Sequence, residues 1–392
     1  MSFLVFTFIT FLLIFYRFNV YQHNVALALP WLLIVSFQYF PISELHVYLS
    51  FPTLLAIFLF LIFYFFGTRF SNLKIAKSSF SIEEVKSLSV RNRYFYAFVM
   101  VFLCLTTLNV LLAGYIPLIR ALLTGDSGYM DFGISGLYGI YNAFANSLGL
   151  LSFYLFLKTG NRKYLVILFV IFFVFIFFMT RQNILSLLVE VFVVYGFIRG
   201  FTSKFKILML LTAILLVFSI LGNIRTQEIG SILEVTDSFL GYPTLLYWLY
   251  SYFYLSAMNF DNAILLTSAP YYDGSSFLSL VPNVVKSLIG VETFHEYFLQ
   301  KINFTVSSAL QPLYSDFGFL EILFFAFIIG FLTQKQYKKA VMQKSFKAVS
   351  GYSVLFFCCL FSFFVNFWFY LPIIFQLVFF YIYSRTVVIE RG

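Results

Sequence analysis

Charged side chains are scarce in this chain of 392 residues, since Asp, Glu, Lys and Arg together make up only 10% of it. Soluble domains carry roughly 25% of these residues. Hydrophobic residues account for 61% of the chain, and phenylalanine alone occurs 58 times. Because so few polar groups remain to face water, the composition excludes a soluble domain.

Cysteine is also rare, and the three residues Cys104, Cys358 and Cys359 all lie in apolar stretches. They form neither a disulfide framework nor a metal-ligand spacing. The sequence has no HExxH, GxSxG, Walker A or GxGxxG pattern in a context that would give it meaning. We therefore expect no cofactor and no bound metal.

What the sequence does contain is a series of apolar blocks of about 17–22 residues, each long enough to cross a hydrocarbon core as a helix. The blocks lack the alternation of membrane β-strands, which leaves helices as the spanning structure. The sequence thus predicts an all-α, polytopic membrane protein with about eleven transmembrane helices, near residues 2–16, 25–40, 47–67, 94–113, 138–157, 164–180, 183–198, 207–224, 317–333, 348–366 and 368–384.

Basic residues are divided unevenly between the two sets of loops that these spans create. One side collects 20 of the 25 lysines and arginines, and the other holds Arg120, Arg181, Arg225, Lys286 and Lys301. Because cytoplasmic loops carry the excess of basic residues, we place the N-terminus outside and the C-terminus in the cytoplasm. The net charge of +9 reflects this pattern and does not indicate nucleic acid.

One extracytoplasmic loop, residues 225–316, is much longer than most of the others, and loops of more than about 15 residues are usually functional. It separates transmembrane helices 1–8, within residues 1–224, from helices 9–11 and the cytoplasmic C-terminus, within residues 317–392. Residues 239–260 of the loop are uncharged and rich in tyrosine, which favours a helix at the membrane interface. A two-crossing hairpin with residues 276–291 would preserve the same orientation.

Two arginines on the outer side, Arg181 and Arg225, are candidates for binding an anion, and a third, Arg120, lies in an outer loop. Arg181 lies between two spans in MTRQN, and Arg225 ends the next outward span in GNIRTQE. Each could simply extend to lipid headgroups, but a guanidinium is a fork of donors suited to phosphate oxygens. We interpret the pair as an anion site. Arg120 follows a Gly and a Pro that break the fourth span, and it belongs either to a re-entrant element or to an exposed loop.

Acid–base candidates lie in the large loop and at its end. Asp316 immediately precedes an inward-running span, where it could cap that helix or act as a general base. His295, beside Glu296, is the only histidine of the loop and could take a proton from a sugar hydroxyl near pH 7. Asp237 is a further candidate. Glu190 falls in mid-span, where we expect an arginine from a neighbouring helix as its partner.

Four stretches of the chain resemble the Wzy-type oligosaccharide repeat-unit polymerases, which assemble bacterial O-antigen and capsular polysaccharide. They are LLAGYIPLIRALLTGD at 111–126, FFMTRQNILSLLVE at 177–190, GNIRTQE at 222–228 and FTVSSALQPLYSDFGFLEILFFAFIIG at 304–330. The last is the most specific, since family members similarly show a Tyr-x-Asp-Phe-Gly entry to a span. With the span count and the single large loop, the resemblance covers most of the chain from about residue 94.

The resemblance implies a GT-C-like glycosyltransferase of the bacterial plasma (inner) membrane. A glycan on undecaprenyl diphosphate would be transferred to an incoming lipid-linked repeat unit, in contact with membrane lipids and, in some systems, with a chain-length regulator. The implied catalytic residues are Arg181 and Arg225, which would stabilise the leaving diphosphate, together with Asp316 and His295. The implied substrate-binding residues are Arg120, Tyr314, Asp237 and Glu296.

Two other functions share some of these features. A glycan ligase would use the same donor and move a finished polymer to a different acceptor, so the arginines do not discriminate between the two enzymes. A transporter or flippase of lipid-linked sugars should show repeated halves and charges along many spans. The sequence has no detectable internal repeat, and Glu190 is the only clear mid-span charge.

Overall fold

The computed structural model describes residues 21–75, 87–129, 131–134, 136–200, 229–281, 285–286, 299–301 and 304–391, and these residues are mostly helical. The helices before the large loop are α1 His23–Phe37, α2 Phe51–Ile75, α3 Asn92–Ala113, α4 Pro117–Thr124, α5 Leu137–Thr159, α6 Arg162–Phe177 and α7 Arg181–Arg199.

The large loop contains further helices, and a second group of long helices follows it. Within the loop lie α8 Ile229–Leu233, a 3-10 turn Asp237–Phe239, α9 Thr244–Tyr250, a π-helical stretch Ser251–Leu255, α10 Ser256–Leu266, a 3-10 turn Ser275–Leu280 and most of α11 Leu310–Phe317. The chain then forms α12 Phe319–Gln343, α13 Phe346–Leu360, a 3-10 turn Phe367–Phe369 and α14 Leu371–Thr386.

Five of the described helical stretches are long and apolar enough to cross a membrane: Phe51–Ser71, Asn92–Thr124, Leu137–Thr159, Arg181–Arg199 and Phe319–Gln343. Helices α1, α13 and α14 are apolar but shorter. The prediction of a mostly helical chain with apolar helices long enough to cross a membrane is therefore confirmed, and the count of eleven spans and the GT-C-like fold stay predictions. The predicted spans near residues 2–16 and 207–224 lie outside the described residues.

The expectation of an all-α chain is wrong at one place. Strands β1 Ser87–Val90 and β2 Val388–Arg391 pair antiparallel, with Ser87 opposite Arg391 and Val90 opposite Val388. The pairing brings the segment that precedes α3 together with the segment that follows α14. A strand of four residues is too short to show a clear alternating pattern in the sequence. Its partner also lies some 300 residues away, so the pairing could not be predicted from sequence.

Helices α2 and α12 pack closely because each presents a glycine to the backbone of the other. A Cβ atom on Gly67 would lie 2.1 Å from the Phe327 carbonyl oxygen, and one on Gly330 would lie 2.3 Å from the Tyr64 carbonyl oxygen. Small residues of this kind let membrane helices approach each other, since packing rather than water drives their association. This contact joins the two halves of the chain on either side of the large loop.

The tyrosine-rich segment of the large loop is helical, as predicted, but its side chains are largely buried among the other helices. Tyr250 and Tyr254 are both fully buried. Asp261, on α10, accepts hydrogen bonds from the Ser50 backbone N–H at 3.0 Å and from the Thr53 hydroxyl at 2.5 Å. It therefore caps the N-terminus of α2 from a different part of the chain.

The prediction that an arginine is the partner of Glu190 is wrong. This carboxyl is fully buried in α7 and accepts hydrogen bonds from the Ser186 hydroxyl at 2.6 Å and from the Gln376 side-chain amide, on α14, at 2.6 Å. Neutral donors from its own helix and a neighbouring one take the place of a cation. Glu190 thus joins α7 to α14 inside the helical layer.

The glycine contact makes a testable prediction for stability. Replacing Gly330 or Gly67 with Ala should destabilise the protein by about 1–3 kcal/mol, because the new methyl group would overlap a backbone carbonyl that cannot move aside easily. The measurement is the temperature at which the detergent-solubilised full chain loses its monodisperse elution peak. Gly139→Ala, on α5, is the matched control, since its new Cβ would meet only Pro372 Cγ at 3.5 Å. Equal melting temperatures for all three variants would contradict the prediction.

Candidate active site

A tight reversal between α6 and α7 places Arg181 at the first position of α7. Met179 adopts a left-handed backbone conformation with φ 54°, which non-glycine residues rarely do. The Thr180 backbone N–H donates to the Phe175 carbonyl at 3.1 Å and closes the turn. The backbone cost of such a residue is of order 1–3 kcal/mol, and strain of this kind concentrates at functional sites.

The guanidinium of Arg181 is buried against aromatic side chains of the large loop. The residue is only 8% exposed, and its guanidinium carbon lies 5.4 Å from the centre of the Trp248 ring. Its Nη1 donates to the Tyr252 hydroxyl at 3.4 Å, which is long for a hydrogen bond. The Trp248 and Tyr252 rings are themselves stacked, with their centres 5.7 Å apart. The aromatic pair therefore forms one wall around the guanidinium.

The electrostatic setting of Arg181 favours an anion. A helix N-terminus carries partial positive charge, and Arg181 adds a full charge at that end of α7. The first turn of α7 contains no acidic residue, and Thr180 provides no side-chain cap. The positive potential of the charge and that of the helix dipole therefore add at this point.

The two residues after Arg181 contact other helices of the bundle. Asn183 accepts a long hydrogen bond from the Asn146 side chain, on α5, at 3.4 Å. Gln182 interacts with the hydroxyl of Tyr370, just before α14. Arg181, Gln182 and Asn183 thus link the first turn of α7 to the large loop, to the start of α14 and to α5. The first turn of α7 is therefore the centre of a polar cluster.

Asp316 is fully buried at the end of α11, and both of its oxygens accept hydrogen bonds from the start of the 3-10 turn Ser275–Leu280. The Ser276 backbone N–H donates at 2.9 Å and the Ser276 hydroxyl at 2.5 Å, while the Ser275 hydroxyl donates at 3.2 Å. The arrangement is that of a helix cap, but the capped element is not the following span that the sequence suggested. A carboxylate with these donors in place is poorly set to take a proton from a substrate.

The other described candidates lie in separate surroundings. Tyr314 is buried against Phe260 and Phe319, and this burial raises the pKa of its hydroxyl. Asp237 is exposed in its 3-10 turn. Arg120 is half-buried in α4, lies over the Tyr115 ring and pairs with Asp126 at 2.8 Å. None of these contacts connects them to the cluster around Arg181.

Three candidates, Arg225, His295 and Glu296, lie outside the described residues. The two described histidines are both engaged. His46 donates from Nε2 to the Gln38 carbonyl at 3.1 Å and accepts from the Tyr250 hydroxyl at 2.8 Å, and burial lowers its pKa. His23 bonds Tyr64 and Gln334 with its two ring nitrogens. Neither has a nitrogen available as a base.

The sequence analysis did not select three residues that the structure places in or near the candidate site. Trp248 and Tyr252, which contact Arg181, are four residues apart, the spacing that places two side chains on one helical face. That spacing is visible in the sequence, but a tyrosine-rich, uncharged segment favours a helix at the membrane interface and so does not point to a binding site. Glu321 is the third missed residue, since a glutamate in the first turn of a helix looks like an ordinary partner of the helix dipole.

These features define the class of protein as a multi-helix membrane protein with a buried arginine at a helix end, walled by aromatic rings from its large loop. Comparisons with protein-family models, with curated protein sequences and with solved structures find no match for this chain. The functional assignment therefore depends on the chemistry of the chain's own residues.

The Asp316 cap generates a second prediction. Asp316→Asn replaces one acceptor oxygen with a donor that faces the Ser276 N–H or hydroxyl, and hydrogen bonds to a charged group are worth about 1.5–3 kcal/mol. Hydrogen exchange at the amides of residues 274–280 should become faster. Asp237→Asn, an exposed residue in another 3-10 turn, should leave exchange unchanged. Equal protection in the wild type and Asp316→Asn would refute the capping role.

Proposed function

We propose that this protein polymerises undecaprenyl-diphosphate-linked oligosaccharide repeat units into a surface polysaccharide, at the outer face of the bacterial plasma membrane. The reaction is a glycosyl transfer from a polyprenyl-diphosphate donor to a sugar hydroxyl of the incoming lipid-linked unit. The enzyme is therefore a membrane-embedded glycosyltransferase.

The single observation that carries the proposal is the buried guanidinium of Arg181 at the N-terminus of α7. The two positive contributions at this point suit an anion, and a diphosphate is the anion that a lipid-linked sugar donor presents near the membrane surface. The Trp248 ring face contacts the guanidinium, and the Tyr252 hydroxyl accepts a long hydrogen bond from it; neither group carries a formal charge.

The proposed role of Arg181 follows from where negative charge develops during the glycosyl transfer. As the bond between the anomeric carbon and the diphosphate oxygen breaks, negative charge accumulates on the departing diphosphate. A guanidinium that is already in place and shielded from water stabilises that charge without reorganising. Arg225, the second arginine of the proposal, would act with Arg181 on the same leaving group.

The proposal predicts that Arg181→Ala lowers the rate of polymerisation by about 10²–10³-fold, the usual loss when one preorganised charge-stabilising donor is removed. Arg181→Lys should recover only part of this, because an ammonium cannot donate as a planar fork. The assay expresses each variant in cells that lack the native copy and measures the glycan chain lengths by gel electrophoresis, at equal amounts of membrane-inserted protein.

The control and the product distinguish the competing functions. Arg385→Ala removes an exposed positive charge at the end of α14 and should leave chain lengths unchanged. Loss of a polymerase leaves single repeat units on the final acceptor, whereas loss of a ligase leaves full-length polymer on undecaprenyl diphosphate. Normal chains from Arg181→Ala would refute the proposal, and long unattached chains would identify a ligase.

A further inference from the structure

Glu321 is a buried carboxylate with no well-aligned hydrogen bond in the described part of the chain. It lies in the first turn of α12 and is only 9% exposed. The Phe317 backbone N–H, four residues earlier, interacts with the carboxylate favourably, but neither Oε1 nor Oε2 accepts a hydrogen bond of good geometry among the described residues. Asp316 adds a second negative charge nearby and interacts with Glu321 unfavourably. The fold thus keeps a costly group without satisfying it fully.

Its position in a helix does not account for this cost. An acidic residue in the first turn gains only modestly from the helix dipole. A buried polar group that is not fully hydrogen-bonded costs more than this gain, and more still when it is charged. Because the cost exceeds the gain, a purely structural role would favour glutamine or an apolar residue at this position.

A series of side-chain contacts links the face of α12 that carries Glu321 to the cluster around Arg181. Phe325, one turn further along α12, packs against Trp368 at 5.7 Å between ring centres. Trp368 belongs to the connection between α13 and α14, residues 361–370. At other points of this connection Phe364 contacts Tyr252 at 4.9 Å and Tyr370 interacts with Gln182. The same connection therefore borders both Arg181's aromatic wall and the face of α12 that carries Glu321.

Two residues of the connection, Trp368 and Asn366, have buried polar side-chain atoms without hydrogen-bond partners among the described residues. These atoms are the Trp368 ring nitrogen, which is a donor, and the Asn366 side-chain nitrogen and oxygen, one donor and one acceptor. Buried groups of this kind are normally paired, so donors and acceptors gathered here suit a ligand rich in hydroxyl groups. A sugar that packs against aromatic rings is such a ligand.

We infer that Glu321 is the general base of the proposed glycosyl transfer, acting on the acceptor sugar. The inference rests on the proposed function. Glu321 takes the proton of the acceptor hydroxyl, the acceptor oxygen forms a bond to the anomeric carbon of the donor, and the bond from that carbon to the diphosphate breaks. The electron pair leaves with undecaprenyl diphosphate, and Glu321 returns its proton to water. Asp316, His46 and His23 are all occupied by the bonds described above.

The test separates a base from a structural carboxylate. Glu321→Gln should lower chain elongation by about 10²–10⁴-fold, the usual contribution of a general base, and should still bind undecaprenyl diphosphate. Glu321→Leu should be inactive and should melt at a higher temperature than the wild type, because a buried carboxylate that the fold does not fully satisfy has been removed. Elongation is measured on purified full chain in liposomes, with lipid-linked repeat units extracted from cells that lack this protein.

Matched variants decide between the outcomes. Glu234→Gln removes an exposed carboxylate that pairs with Lys301 and should elongate normally. Wild-type elongation by Glu321→Gln, or a lower melting temperature of Glu321→Leu, overturns the inference, as does loss of undecaprenyl diphosphate binding in Glu321→Gln. Arg181→Ala, assayed in parallel, reports on the proposed function itself. If Arg181→Ala fails and Glu321→Gln elongates, only the role of Glu321 is wrong.

Discussion

The constraint on which this structure depends is that hydrocarbon supplies no hydrogen bonds, so polar groups inside the helical layer have to be satisfied by the chain itself. Glu190 meets this condition with a serine from its own helix and a glutamine from α14. Asp261 meets it by capping α2, and Asp316 by capping a 3-10 turn. In each case the polar contact joins segments far apart in sequence and so helps to define how the helices are arranged.

Two buried charged residues near the candidate site differ from these capped or paired carboxylates. Arg181 adds positive charge where the helix dipole is already positive, and Glu321 has no well-aligned hydrogen bond among the described residues. Both residues are buried, and both lie near the connection between α13 and α14. Sites where local rules are broken are where functional pressure is expected. The two charges are also opposite in sign, as a reaction needs when it stabilises a leaving anion and removes a proton.

Helical membrane character was predictable from sequence because it depends on composition over about 20 residues, which is a strong signal. The α3 boundary at Gly114 was predictable as well, since Gly and Pro end helices for local reasons. The partners of Asp316 and Glu190 were not, because Ser276 and Gln376 are ordinary residues far away in the chain. Arg181 could be selected by its rarity on the outer side, whereas its aromatic wall required knowledge of how the loop helix folds back.

The nature of that wall bears on how a buried arginine can remain useful for catalysis. The face of Trp248 attracts the cation through its quadrupole and carries no formal charge. Aromatic side chains can therefore hold a cation in a water-poor site while its charge stays directed at an incoming anion. Aromatic residues make up 23% of this chain. The spacing of Trp248 and Tyr252 places two of these rings on one helical face, where they contact the guanidinium.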